Sequence, residues 1–255
     1  MKKARHPAPT KGALPVIGLT GPMSSGKNVA GAILERLGFA VVDSDQTAHQ
    51  ALIDVQDSVL AAFSGIARDR GLTLLTPEGC IDRRALGALL FSDPALLARH
   101  EAIIYPRINA LLSAFIDEHA AAGSKTPAAS ITPAGCNARA ASDSHAERNA
   151  PATPSPNEKA PLRGIVINAP LLHKSPVLDR CNFVIFVDSP LLMRLVRARK
   201  RDKLPFRQIL ARFSAQKHLF AQYRAKNVDI QRVQNRGSIR ALEKRLVILL
   251  SRRGY

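Results

Sequence analysis

Short apolar runs alternate along the chain with longer stretches whose apolar positions recur at helical spacing. Val16 to Thr20 is apolar and partly β-branched and runs into Gly21, which predicts a buried strand. Phe39 to Val42, closed by Asp43, predicts a second, and Gly164 to Ala169 and Asn182 to Val187 predict a third and a fourth. Ile230 to Val233 is a weaker last strand. Helical patterns lie between, at Lys27–Leu37 and Ile103–His119. Strands that alternate with helices imply parallel βαβ units and an α/β sheet covered on both faces. Leu86, Leu89, Leu90 and Phe91 predict a helical segment outside that sheet, as do Leu96 and Leu97. Ile209 to Tyr223 predicts a further helix, and Ser238 to Arg252 a closing amphipathic one.

One stretch breaks the pattern. Ala120 to Ala160 holds thirteen Ala and five Pro, and Ile131 is its sole large aliphatic or aromatic residue. Such a segment cannot bury enough apolar surface to offset its ordering entropy. It is expected to be a disordered insertion, residues 120–160, in a surface loop and without a catalytic part. Residues 1–15 are expected to form a basic tail. The remainder, 16–255, is long enough for one large domain, and 46% apolar residues across the chain can supply its core. No apolar run reaches the roughly 18–20 residues that cross a bilayer, and the N-terminus lacks the apolar stretch of a secretory signal. No membrane partner and a cytoplasmic location are therefore expected. Cys80, Cys136 and Cys181 lie far apart and show no metal-ligand spacing.

Charge bears on partners more than on fold. The formal net charge is +17, and eleven Lys or Arg stand against a single acid, Asp202, from Arg194 to Lys226. That density fits either a solvated basic face or a surface for phosphates. A nucleic-acid partner is not expected, because three Tyr and no Trp provide no evident stacking platform.

The sharpest chemical signal is Gly21-Pro22-Met23-Ser24-Ser25-Gly26-Lys27-Asn28, directly after a predicted strand and directly before a predicted helix. A phosphate loop needs that context. Its glycines let the backbone curl so that successive N–H groups point at an anion, and the helix that follows adds its dipole. Lys27 would reach the β- and γ-phosphates. An ordinary strand-to-helix turn with chance glycines is the competing reading. Such loops normally end in Ser or Thr, whose hydroxyl ligates Mg²⁺; this one ends in Asn28, whose amide oxygen lies further from the backbone. Asp43-Ser44-Asp45 falls at the predicted carboxyl end of the second strand, the edge where open α/β sheets bind ligands. One carboxylate there could accept the proton of an attacking hydroxyl while the other holds a metal-bound water. Either could instead cap the next helix.

With these blocks in place the chain resembles the dephospho-CoA kinase family. The phosphate loop and Gly38 to Asp45 are similar to that family's loop and its glycine, strand and Asp-x-Asp. Gly79-Cys80-Ile81-Asp82-Arg83-Arg84-Ala85-Leu86 and Phe91 resemble its next block. Ala169-Pro170-Leu171-Leu172 resembles its Pro-Leu-Leu strand end, and Asn235-Arg236-Gly237-Ser238 its closing turn. Arg197 and Arg201, four apart, and then Gln216 resemble its lid and the helix after it. Departures are Asn28, Tyr105 in place of a His before Pro106, and His173-Lys174 where an apolar residue and Glu are common.

The resemblance implies a P-loop kinase fold: a mostly parallel sheet flanked by helices, with a helical acceptor-binding region at 46–119 and a lid at 190–216. It implies ATP as co-substrate with Mg²⁺, dephospho-CoA as acceptor, and phosphorylation of the ribose 3′-hydroxyl. Asp45 would be the general base, with Asp43 second choice. Lys27, Arg197 and Arg201 would stabilise the transferring group. Gly21, Ser24, Ser25, Gly26, Lys27, Asn28, Val29 and Asn235 would bind the nucleotide, and Asn28 and Asp43 the metal. A related kinase for another nucleotide-like alcohol, or a catalytically weakened nucleotide-binding homologue, would share most of these features. The oligomeric state is not legible.

Overall fold

The five expected runs are all strands. They are β1 (Val16–Thr20), β2 (Phe39–Asp43), β3 (Gly164–Asn168), β4 (Phe183–Asp188) and β5 (Ile230–Gln234). The three central ones, β1, β3 and β4, are buried on both faces. All pair in parallel, in the order β2-β3-β1-β4-β5. The structure is a computed structural model, and it describes residues 14–122, 161–202 and 206–255. The expected tail falls almost wholly outside them, as does most of the expected insertion.

Side chains alternate across the sheet and build a core on each face. Val16, Ile165, Ile167, Val184 and Phe186 enter one. Ile17, Leu19, Val166, Ile185 and Val187 enter the other, beneath α1 (Lys27–Arg36) and α9 (Ile239–Arg252). Truncating the fully buried Ile17 or Ile165 to Ala would cost about 2–5 kcal/mol.

Between β2 and β3 four helices stand outside the sheet: α2 (Ser44–Asp54), α3 (Gln56–Asp69), α4 (Arg83–Phe91) and α5 (Pro94–Ala122). They share a separate core that includes Phe63, Leu86, Leu89 and Ile104. Phe91, which reads as apolar with its neighbours, is 81% exposed, so the α4 stripe ends at Leu90. α5 starts nine residues before the Ile103 expected from periodicity. The Asp93 carboxylate accepts from the Ala95 N–H, and Pro94 stands where a helix forfeits no donor.

After β4 come α6 (Leu191–Asp202), α7 (Phe206–Ala215) and α8 (Leu219–Ala225). The single helix expected over Ile209 to Tyr223 is broken between α7 and α8. Tight bonds from the Gln216 and Lys217 N–H groups to the Phe213 and Ser214 carbonyls end α7 there. Among the described residues no helix is long and apolar enough to cross a membrane.

Candidate active site

β1 is central, and its neighbours β3 and β4 lead away in opposite directions. Ligands bind beyond the carboxyl ends of strands at such a switch point. Residues Gly21 to Asn28 turn there and run into α1, lining a cleft of about 560 Å³. Gly26 adopts φ +93°, and a Cβ on it would come within 2.2 Å of the Asn235 side-chain nitrogen. A Cβ on Gly21 would come within 2.3 Å of the Val187 carbonyl oxygen. Both positions therefore require glycine. No acid stands in the first turn of α1, so its positive end is left for an anion.

The loop is held from three sides. Asn235, just after β5, donates from Nδ2 to the Ser25 carbonyl at 2.8 Å, and its backbone N–H donates to the Asp188 carbonyl at the end of β4. Gln216 Oε1 accepts from the Met23 N–H at 2.6 Å, and Arg194 Nε donates to the Met23 carbonyl at 2.9 Å. The hydroxyl oxygens of Ser24 and Ser25 are buried within the loop without a hydrogen-bond partner among the described residues.

At the centre, Lys27 Nζ donates to Asn168 Oδ1 at 2.6 Å, and Asn168 Nδ2 donates to Asp43 Oδ2 at 3.1 Å. Asn168 is 3% exposed, so its amide is a fixed bridge between the loop cation and the β2 carboxylate. Burial pushes the Lys27 ammonium below the usual lysine range, and the charges of Asp43 and Asp45 pull it back. Asp43 does both things its position allows. Its Oδ1 accepts from the Asp45 N–H at 2.9 Å and caps α2, while its Oδ2 faces Asn168. The cap turns Asp45, exposed in the first turn of α2, onto the cleft wall.

Most of the expected residues thus meet in one place: Gly21, Ser24, Ser25, Gly26, Lys27, Asn28, Val29, Asp45, Arg197 and Asn235 all line the cleft. Asp43 joins through Asn168. Arg197 reaches it from α6, donating from Nη1 to Ser189 Oγ at 3.2 Å, and that hydroxyl in turn donates to the Asn235 carbonyl. Arg201 is one turn further along α6, and its side chain lies outside the described residues. Asn28 is exposed at the start of α1. Asn168, Met23 and Arg194 are not legible as site residues from the chain, although Asn168 ends a strand that leads to the cleft.

Two departures from the family pattern converge. The Tyr105 hydroxyl donates to Glu101 Oε1 at 3.4 Å, and Lys174 Nζ pairs with the same carboxylate at 3.2 Å. A phenol and a lysine thus share one acid. His173 stacks edge-on against Tyr223 at 5.0 Å, and burial, with Lys174 and Lys226 nearby, holds its pKa below the usual histidine range.

A parallel sheet in this order, with a phosphate loop after its central strand, defines a P-loop nucleotide-binding protein. Comparison with solved structures agrees on the fold. A Thermus thermophilus protein aligns with a TM-score of 0.63 at 24% identity, over 94% of this chain and 98% of that one. A dephospho-CoA kinase from Campylobacter jejuni aligns with a TM-score of 0.54 at 19% identity, over 93% of this chain and 96% of that one. The family model for dephospho-CoA kinase matches residues 15–126. The dephospho-CoA kinase of Treponema denticola is 34% identical over 240 residues, 94% of this chain and 91% of that protein. The Treponema pallidum enzyme is 33% identical, over 94% of this chain and 96% of its own length. The chain belongs to the dephospho-CoA kinase family.

Proposed function

We propose that the protein transfers the γ-phosphoryl group of ATP to the ribose 3′-hydroxyl of dephospho-CoA, yielding coenzyme A and ADP. The similarity to the Treponema denticola enzyme along 94% of the chain carries the choice of acceptor. The cleft explains how the residues would act.

Phosphoryl transfer asks for positioning and charge stabilisation more than covalent chemistry. The loop N–H groups and the start of α1 would hold the nucleotide phosphates, with Asn235 bracing the loop through Ser25. Lys27 would meet the transferring group, steered by its bond to Asn168. Asp45 lines the cleft and is free to accept the 3′-hydroxyl proton and pass it to solvent. Asp43 orients Asp45 through the cap and stands second as base. Arg197 and Arg201, on α6, would neutralise phosphate charge, for which the planar guanidinium is suited. Residues 190–216 would serve as the lid that excludes water, and 46–119 as the acceptor-binding region.

The oxygen donors near Lys27, the carboxylates of Asp43 and Asp45 and the amide of Asn28, are the hard ligands that Mg²⁺ takes, so these residues fit the ion. Among the described residues no three His, Cys, Asp or Glu side chains form a metal site by themselves, so the ion would be held chiefly by the nucleotide phosphates. When bound, Mg²⁺ neutralises charge on the β- and γ-phosphates. Both Asp43 oxygens already accept one hydrogen bond, leaving their remaining lone pairs for it.

ADP release measured with dephospho-CoA, adenosine and nucleoside monophosphates as acceptors tests the reading. It predicts acceptor-dependent turnover with dephospho-CoA far above the rest. Preference for a nucleoside monophosphate would overturn it.

A further inference from the structure

Met23 is an apolar residue in a loop that binds phosphate, and all three of its interacting parts are engaged by the same unit. Its side chain packs against the buried cluster of Ala198, Ile209 and Phe213, which joins α6 to α7. Its N–H is taken by Gln216 at the end of α7, and its carbonyl by Arg194 on α6. Arg194 is itself fixed, its guanidinium lying 4.5 Å from the centre of the Phe213 ring. Sequence neighbours alone would not demand this.

The next residue gives the contact its meaning. Ser24 has φ +60°, and among the described residues only Asn227 is another non-glycine with positive φ. A non-glycine residue there costs roughly 1–2 kcal/mol, and such strain persists only where the surroundings over-determine it. Anchoring Met23 at both backbone atoms and at its side chain supplies that constraint. Ser24 in turn leads into Ser25, whose N–H bonds back to the Pro22 carbonyl at 3.1 Å, and so into Gly26 and Lys27 at the start of α1.

We infer that Met23, Gln216 and Arg194 are positioning residues: they lock the phosphate loop to the α6–α7 unit and so set the directions of its N–H groups. The same unit carries Arg197, so loop curvature and the reach of that arginine are set together. The inference rests on the phosphoryl-transfer reading for its effect on turnover, but not for its effect on nucleotide affinity.

The test compares Met23→Ala, Gln216→Ala and Arg194→Ala with Met23→Leu, Gln216→Glu and Arg194→Lys. ADP affinity is measured by calorimetry, alongside kcat, the KM for dephospho-CoA and the melting temperature. Each Ala variant should bind ADP about tenfold more weakly, ~1.4 kcal/mol, and lose kcat to a similar degree. The KM for dephospho-CoA should stay unchanged. Met23→Leu and Gln216→Glu should recover most of the loss, since one keeps the apolar bulk and the other an acceptor oxygen. Pairing Met23→Ala with Gln216→Ala should cost less than the sum of the two, because both act on one residue. ADP affinity equal to wild type, with only the melting temperature lowered, would overturn the inference. If an Ala variant fails to fold, Gln216→Met decides by the same affinity measurement: wild-type ADP binding by that variant refutes the inference. Should the wild-type protein bind ADP yet leave dephospho-CoA unmodified, the substrate reading fails while the affinity comparison still stands.

Discussion

Asn168 offers the sharpest perturbation of the site, because its amide touches both Lys27 and Asp43 and is shielded from solvent. Asn168→Leu removes both hydrogen bonds while keeping the branched shape of the side chain. A hydrogen bond to a charged partner contributes about 1.5–3 kcal/mol. Lys27 and Asp43 can each recover some hydration from the cleft, which argues for the lower end. If the bond to Lys27 matters chiefly as the phosphoryl group moves, kcat/KM should fall about 10–100-fold, ~1.4–2.7 kcal/mol. Asn168→Asp separates geometry from charge. The new carboxylate would still accept from Lys27 but would face Asp43 Oδ2, and two carboxylates that close share one proton. Protonated, the pair restores the pattern of the amide: one group donates to Asp43 and accepts from Lys27. The activity of this variant relative to wild type should therefore rise as pH falls. The assay is initial-rate ADP release from mildly alkaline to mildly acidic pH for the three proteins. A Leu variant within about threefold of wild type, a loss under ~0.7 kcal/mol, would refute the bridging role. An Asp variant whose relative activity is flat with pH would refute the proton-sharing argument.

Lys27→Ala should lower kcat by far more than tenfold, ~1.4 kcal/mol, while far-ultraviolet circular dichroism stays that of the wild type; retention of a tenth of the rate would contradict its placement at the phosphates. Asn28→Ser should keep or raise activity and lower the Mg²⁺ needed for half-maximal rate, as read from kcat against Mg²⁺; a clear drop would mean that the site is built around the amide. Burial pushes the Cys181 thiol from 9.0 to about 12 and the Tyr223 hydroxyl from 10.0 to about 12. The unfolded chain therefore loses these protons first, so their contribution to stability is complete below pH 9.0 and declines as the pH approaches about 12. Cys181→Ser should flatten that alkaline decline in the urea midpoint, and an unchanged slope would show that burial of the thiol does not drive it.

The sheet was legible because strands buried on both faces must be apolar throughout, as Ile165 to Ile167 and Val184 to Val187 are. The phosphate loop was legible because its spacing reflects a backbone need, seen in the φ of Gly26 and the closeness of Gly21 to Val187. Asp43 could be read as a cap or as a functional carboxylate, and the two were never exclusive, since its two oxygens face different partners. Asn168 left no signal because an amide at a strand end has no period and no charge; its meaning comes from pairing with β1 and β2, which bring Lys27 and Asp43 to it. The break between α7 and α8 was hidden for a similar reason. Gln216 continues the helical pattern, but its side chain is directed to a loop 193 residues earlier. Arg194 is likewise one of many basic residues by composition, and only its bond to Met23 sets it apart.

The central claim is tested most directly by the product of a single reaction. The protein is incubated with ATP, Mg²⁺ and dephospho-CoA, and the acceptor is recovered for mass measurement and phosphorus NMR. The account predicts dephospho-CoA heavier by one phosphoryl group, carried as a monoester on the ribose 3′-oxygen, with one ADP formed per product. ADP accompanied only by inorganic phosphate, or a phosphoryl group on any other atom, would contradict it.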